Sequence, residues 1–240
     1  VSFDYDETDG FEEYALKDVN LHIKEGEFVG IIGSTGSGKS TLVNLIPRFY
    51  DPTSGKVLLD GVDIRNYNEA TLRKNISIVL QSATLFSGTV KSNIVQGDLD
   101  AVEDDITRAA KIAQAKEFID RLPENYESIV YQRGNNLSGG QKQRISIARG
   151  LVGNPRILIL DDSTSALDAK SESLVKKALN RELKNTTTIM VAQKISSIID
   201  ADKIVLIDQG QILAVGSHEE LMNSSVHYKN IYNTQLGEEA

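Results

Sequence analysis

One stretch, Gly33-Ser34-Thr35-Gly36-Ser37-Gly38-Lys39-Ser40-Thr41, limits what this chain can fold into more than any other. It fits the pattern G-x-x-x-x-G-K-[ST]. Phe28 to Ile32 before it is a short continuous apolar run, as in a strand buried on both faces. Ser40 to Ile46 after it reads as a short helix ended near Pro47. In a strand, loop and helix of this kind the small residues let backbone N–H groups curl around phosphate oxygens. The helix adds its positive N-terminal end. Lys39 can then reach the β and γ phosphates, and the Ser40 hydroxyl can bind Mg²⁺. At ordinary residue usage chance gives the pattern in about 1% of chains of this length.

The rest of the chain supplies the frame. Val1-Ser2-Phe3-Asp4-Tyr5 and Val19 to Ile23 alternate as half-buried strands do, with an acidic, Gly-containing loop at 6–13 between them. Lys56 to Leu59, Ile76 to Leu80, Ile157 to Leu160, Thr188 to Ala192 and Ile204 to Ile207 also read as strands. Leu174, Val175, Ala178, Leu179 and Leu183 have helical spacing. From Thr89 to Leu122 the pattern is helical with no strand signal, so 82–151 reads as a helical insertion. Strands alternating with helices argue for a parallel α/β core. The chain has 240 residues and a formal charge of −8, a poor balance for coating nucleic acid. It has no cysteine and 3 scattered histidines, which removes disulfides, thiol catalysis and Cys- or His-rich metal sites. No apolar run approaches a membrane span of about 18 residues. The chain opens on Val1 rather than Met, as a piece of a longer polypeptide would.

Two further patterns carry chemistry. Ile157-Leu158-Ile159-Leu160 ends in Asp161-Asp162. In phosphate-loop enzymes a strand-end Asp holds Mg²⁺, the role open to Asp161, and Asp162 stands where a base or water-orienting group would sit. Leu137-Ser138-Gly139-Gly140-Gln141 precedes a helix, and Ser138 with Gln141 has capping-box spacing. Capping accounts for Ser and Gln but not for both glycines, which leave the helix start bare toward an anion. Opening a separate helical region, this site suits a phosphate supplied by a second subunit.

With these residues in hand, the chain resembles the nucleotide-binding domain of an ABC transporter of the exporter type. The resemblance covers nearly the whole chain. It includes Arg48-Phe49-Tyr50-Asp51-Pro52-Thr53-Ser54-Gly55, Gln81 followed by Leu85-Phe86-Ser87-Gly88-Thr89, and Ser165-Ala166-Leu167-Asp168. It implies one α/β domain over 1–240. Its P-loop NTPase (RecA-like) core and antiparallel β subdomain would come from 1–81 and 152–240, with an inserted α-helical signature subdomain at 82–151. It also implies ATP and Mg²⁺ as cofactors. Tyr5 is similar to the aromatic that stacks on adenine. Gln81 is similar to the residue that touches Mg²⁺ and the attacking water. Asp168 is similar to the residue that crosses a head-to-tail dimer interface, and it can cap the next helix as well. In such dimers each ATP lies between one subunit's phosphate loop and the other's signature helix. Transmembrane domains, expected before Val1, would place the chain at the cytoplasmic face of a membrane.

Three positions depart from the family pattern. Asp162 stands where a Glu general base is usual, shorter by a methylene, or about 1.5 Å of reach. Gln193 stands where a His is usual, and Gln cannot take up a proton near neutral pH. Tyr131-Gln132-Arg133-Gly134 replaces an acidic coupling residue by Gln132. The expectation is a chain whose own site, with Gln81, Asp162, Gln193 and Lys39 as catalytic residues, binds ATP but hydrolyses it slowly. Its intact signature would serve a different partner subunit that supplies Glu and His. The alternative is a nucleotide-dependent clamp with negligible hydrolysis. A third class, the ABC ATPases of DNA repair or translation, would need a coiled-coil arm, a basic face or paired domains, and none is visible.

Overall fold

The computed structural model of the protein describes residues 1–5 and 14–237, so the loop read at 6–13 lies outside the described residues. In chain order the elements are β1 (Phe28–Ile32), α1 (Lys39–Asn44), β2 (Leu58–Leu59), β3 (Val62–Asp63), α2 (Glu69–Lys74) and β4 (Ile76–Val79). β5 (Gly88–Thr89), α3 (Val90–Val95), α4 (Glu103–Ile112), α5 (Lys116–Ile119), β6 (Ile129–Val130) and α6 (Gly139–Leu151) follow. The chain closes with β7 (Ile157–Asp161), α7 (Ala169–Glu182), β8 (Thr187–Val191), β9 (Lys203–Asp208), β10 (Gln211–Gly216), α8 (His218–Ser224) and α9 (Val226–Leu236). They form two compact units, one of Val1–Arg73 with Thr188–Ala240, the other of Lys74–Thr187.

In the first unit β1 is central, parallel to β8 on one side and to β9 on the other. Val29, Ile31, Ile32, Ile189, Met190, Val191, Ile204, Val205, Leu206 and Ile207 are all buried. Strands covered on both faces need apolar residues at every position, which is why these runs do not alternate. Each such side chain contributes about 1.5–3 kcal/mol by leaving water. β10 adds antiparallel to β9 with a register shift between Ile212 and Ala214, and its residues alternate as an edge strand's do. The sequence reading missed β10, α8 and α9.

In the second unit β4 and β7 pair in parallel, from Ile76↔Ile157 to Val79↔Leu160. α6 packs on β4, and α3 and α4 pack on α6. Ile145, Ile147, Ala148 and Leu151 form the buried stripe of α6. The stretch read as purely helical also holds a strand pair, β5 with β6, antiparallel from Gly88↔Val130 to Thr89↔Ile129. Two-residue strands are too short to show a period of two in sequence.

Three strand expectations are corrected. Val1–Tyr5 makes only isolated antiparallel bridges, Ser2↔Ser54 and Phe3↔Leu16. Neighbouring residues pair with different segments, so no ladder forms, though Phe3 is buried as alternation required. Val19–Ile23 forms no strand, and Val19 joins its surroundings by donating its N–H to the Val1 carbonyl, 2.8 Å away. The strand read at 56–59 shrinks to Leu58–Leu59, paired with β3 across the turn at 60–61.

Candidate functional site

The expected site residues divide between the units. Tyr5, the phosphate loop and Gln193 belong to the first. Gln81, Asp161, Asp162, the signature and Ser165 to Asp168 belong to the second.

The phosphate loop leaves β1 at Gly33 and enters α1 through Gly38, whose φ of 99° is left-handed. A Cβ on Gly33 would stand 1.9 Å from the Ile207 carbonyl oxygen, and one on Gly38 would stand 2.8 Å from that of Ala15. The loop can therefore lie this close to β9 and to Ala15 only with glycine at both points. The Lys39 ammonium turns back over the loop and donates to the carbonyls of Gly33 at 2.9 Å and Ser34 at 2.6 Å. The Ser34 hydroxyl donates to Asp208 Oδ1 at 2.7 Å. Thr35 and Gly36 are exposed at the loop tip, Ser37 and Thr41 are buried, and Ser40 is exposed. The loop thus presents a fixed cation and a glycine-lined tip, and this donor set fits a triphosphate.

Tyr5 is 57% exposed, and its hydroxyl lies 3.0 Å from Thr41 Oγ1, at the end of the phosphate-loop motif. Its ring meets Phe3 at 4.8 Å and Tyr50 at 5.4 Å, both with interplanar angles of 85°. The ring is thus held by two perpendicular aromatic neighbours while more than half of the residue stays exposed. Gln193 is exposed just beyond β8.

In the second unit Asp161 ends β7 and is buried. Asp162 turns the chain with a left-handed φ of 48°, a conformation that Asp tolerates better than most residues. Its Oδ2 accepts a 2.7 Å hydrogen bond from Gln81 Nε2. Gln81 and Asp162, 81 residues apart, are thus brought together as one polar pair. No group of three or more His, Cys, Asp or Glu side chains suited to a metal occurs among the described residues.

The signature opens α6 as its capping box predicts. The Gln141 N–H donates to Ser138 Oγ at 3.2 Å, and the Ser138 N–H donates to Gln141 Oε1 at 2.9 Å. A Cβ on Gly139 would meet nothing within 4 Å, and one on Gly140 would come no closer than 3.6 Å to any atom. Packing among the described residues therefore does not require either glycine. Leu137 is buried beneath the turn. Arg144, one turn on, donates to the carbonyls of Gly140 at 3.2 Å and Gln114 at 3.0 Å, and burial pushes its guanidinium down. Ser165 and Ala166 are exposed and Leu167 is buried. Asp168 caps α7, accepting from the Ser171 hydroxyl at 2.6 Å and its N–H at 2.9 Å. These bonds, the hydroxyl's first, hold the carboxyl below the usual carboxylate range.

Several contributors escaped the sequence reading. Asp208 ends an apolar strand as Asp161 does, so the same pattern could have flagged it. Tyr50, within the stretch from Arg48 to Gly55, meets the Tyr5 ring at 5.4 Å, a contact its sequence neighbourhood does not signal. Arg149 donates to Asn93 and to the Thr84 carbonyl and so fixes the segment after Gln81; nothing local in the sequence signals this.

Comparison with known proteins agrees with the geometry. The family model described as "ABC transporter" matches residues 16–165. Two relatives named "Putative multidrug export ATP-binding/permease protein", YgaD of Bacillus subtilis (strain 168) and a counterpart in Staphylococcus aureus (strain COL), are each 49% identical over 235 residues. The alignments cover 98% of this chain and 40% of each relative, so the chain spans about two fifths of their length. A solved structure described as a bacterial Atm1-family ABC exporter with ATP bound superimposes with a TM-score of 0.93 at 38% identity, over 98% of this chain and 41% of that one. No helix among the described residues is long and apolar enough to cross a membrane. With a phosphate loop, a strand-end Asp and a bare signature helix on an α/β P-loop NTPase fold, the chain belongs to the ABC transporter family, as an ATP-binding domain of the exporter type.

Proposed function

We propose that this chain binds ATP with Mg²⁺ and powers export through transmembrane domains at the cytoplasmic face of a membrane. The observation that carries the reading is the loop itself. Glycines are forced at Gly33 and Gly38, and Lys39 is already folded over the loop's carbonyls. On this reading the loop amides and Lys39 hold the phosphates, Tyr5 stacks on the base, and Ser40 and Asp161 hold Mg²⁺ with Gln81 alongside. The ion would neutralise charge on the transferring phosphoryl group. Asp162 and Gln193 would face the attacking water and the terminal phosphate. The names of the relatives, which join ATP binding with a permease, support transmembrane domains as partners. The unforced glycines at 139 and 140 support a second ATP-binding domain whose nucleotide completes the signature.

We further assign the slow site of a heterodimer to this chain, its mate supplying Glu and His at the positions of Asp162 and Gln193. A misplacement of about 1 Å costs on the order of 100-fold in rate. A second reading, a nucleotide-dependent clamp, is favoured by one contact: the Asp162 carboxylate is already engaged by Gln81. Calorimetry with MgATP tests binding, and single-turnover cleavage separates the readings. Slow cleavage accelerated by a Glu- and His-bearing mate supports the motor, and none supports the clamp. No MgATP uptake by folded protein would refute both.

A further inference from the structure

α9 closes the chain as an ordinary surface helix, yet one of its side chains reaches the segment that carries Gln193. Gln235 Oε1 accepts the Ile195 N–H at 2.7 Å, and its Nε2 donates to the Gln193 carbonyl at 2.8 Å. A single amide thus spans the backbone on both sides of Lys194. The far side of the same segment is fixed differently. Ile195, Ser197 and Ile198 are buried. Ile198 approaches β1 so closely that a Cβ on Gly30 would stand 2.6 Å from its Cβ. The segment is therefore held between the strand that delivers the phosphate loop and the last helix, while the Gln193 side chain is exposed. α9 is itself anchored at its other end. Tyr228 is fully buried and its hydroxyl lies 2.9 Å from His218 Nδ1. Gln235 sits in the final turn before Gly237, where helices fray and local stability is lowest.

We propose that Gln235 is a positioning residue for Gln193, setting the backbone from which Gln193 meets the terminal phosphate. The order of the last turn of α9 then governs how well the site tells triphosphate from diphosphate. This rests on the reading of Gln193 given above. It goes beyond that reading by making the end of α9 a control point.

The test is calorimetry of the full 240-residue chain with MgATP and with MgADP. Gln193→Ala serves as reference and thermal melting checks folding. Gln235→Ala is expected to weaken MgATP about fivefold, roughly the worth of one neutral hydrogen bond, and to leave MgADP within about twofold. Gln235→Glu keeps the acceptor for Ile195 but sets an oxygen against the Gln193 carbonyl, so it should fail in the same direction while keeping the helix. Equal weakening of both nucleotides would make Gln235 mere packing and overturn the proposal. So would a folded Gln235→Ala that keeps wild-type discrimination while Gln193→Ala loses it. If Gln193→Ala itself changes nothing, the reading of Gln193 fails first and takes the proposal with it.

Discussion

Replacing Asp162 by Glu sets stability against turnover. Asp162 holds a φ of 48°, and its carboxylate accepts from Gln81 at 2.7 Å. Glu lacks the short side chain that bonds its own backbone in the left-handed region, a disadvantage of about 0.5–1 kcal/mol. It also carries its carboxylate about 1.5 Å farther out, past the Gln81 amide. Losing that hydrogen bond costs about 1 kcal/mol. The sum, about 1.5–2 kcal/mol, corresponds to a fall in Tm of roughly 3–8 °C for a domain of this size. Hydrolysis should move the other way. If reach limits the reaction, restoring it in Asp162→Glu with Gln193→His raises single-turnover cleavage by on the order of 100-fold. Differential scanning calorimetry without nucleotide and rapid-quench cleavage of MgATP on the same preparations measure both. A Glu variant that melts no lower than wild type would refute the geometric argument about φ and Gln81. One that melts lower but cleaves no faster would show that reach does not limit the site.

Other consequences are more direct. If Tyr5 stacks on the base as proposed, Tyr5→Leu should weaken MgATP by about fivefold to 100-fold and leave inorganic tripolyphosphate, which has no base, unchanged; competition binding with the two ligands checks it. The Asp168 cap has a definite pH sign. Its folded pKa is depressed, so its stabilisation is present above the ordinary Asp value, about pH 4, and is lost as pH falls through the lower folded value. Urea midpoints between about pH 2 and 5 should therefore fall less steeply in Asp168→Asn than in wild type, and parallel profiles would contradict the cap's role.

What the sequence made legible is what lies close together along it. The phosphate loop, the Ser138–Gln141 box and the Asp168 cap each span at most nine residues, and backbone chemistry alone dictates them. Buried strands such as β1, β8 and β9 showed as apolar runs because both faces are covered. β10 and α9 did not show, since an edge strand and a half-exposed helix carry weak periodicity. Val1 to Tyr5 had the right alternation but no continuous partner, and only tertiary pairing decides that. Side-chain contacts across long separations were out of reach altogether. Tyr5 meets Thr41 36 residues away, and Gln235 meets Gln193 42 residues away.

The glycines separate what the chain does for itself from what it does for another molecule. At Gly33 and Gly38 a methyl group would collide with this chain's own carbonyls, so folding explains glycine there whether or not nucleotide binds. At Gly139 and Gly140 it would collide with nothing, and neither backbone is left-handed. Glycine early in a helix costs about 0.5–1 kcal/mol against alanine. Nothing in the packing of the described residues offsets that cost. Ser138 and Gln141 have meanwhile satisfied each other in the capping box. Two glycines that neither packing nor capping requires, at the start of α6, are the observation behind the proposal that a second ATP-binding domain brings an anion to this tip.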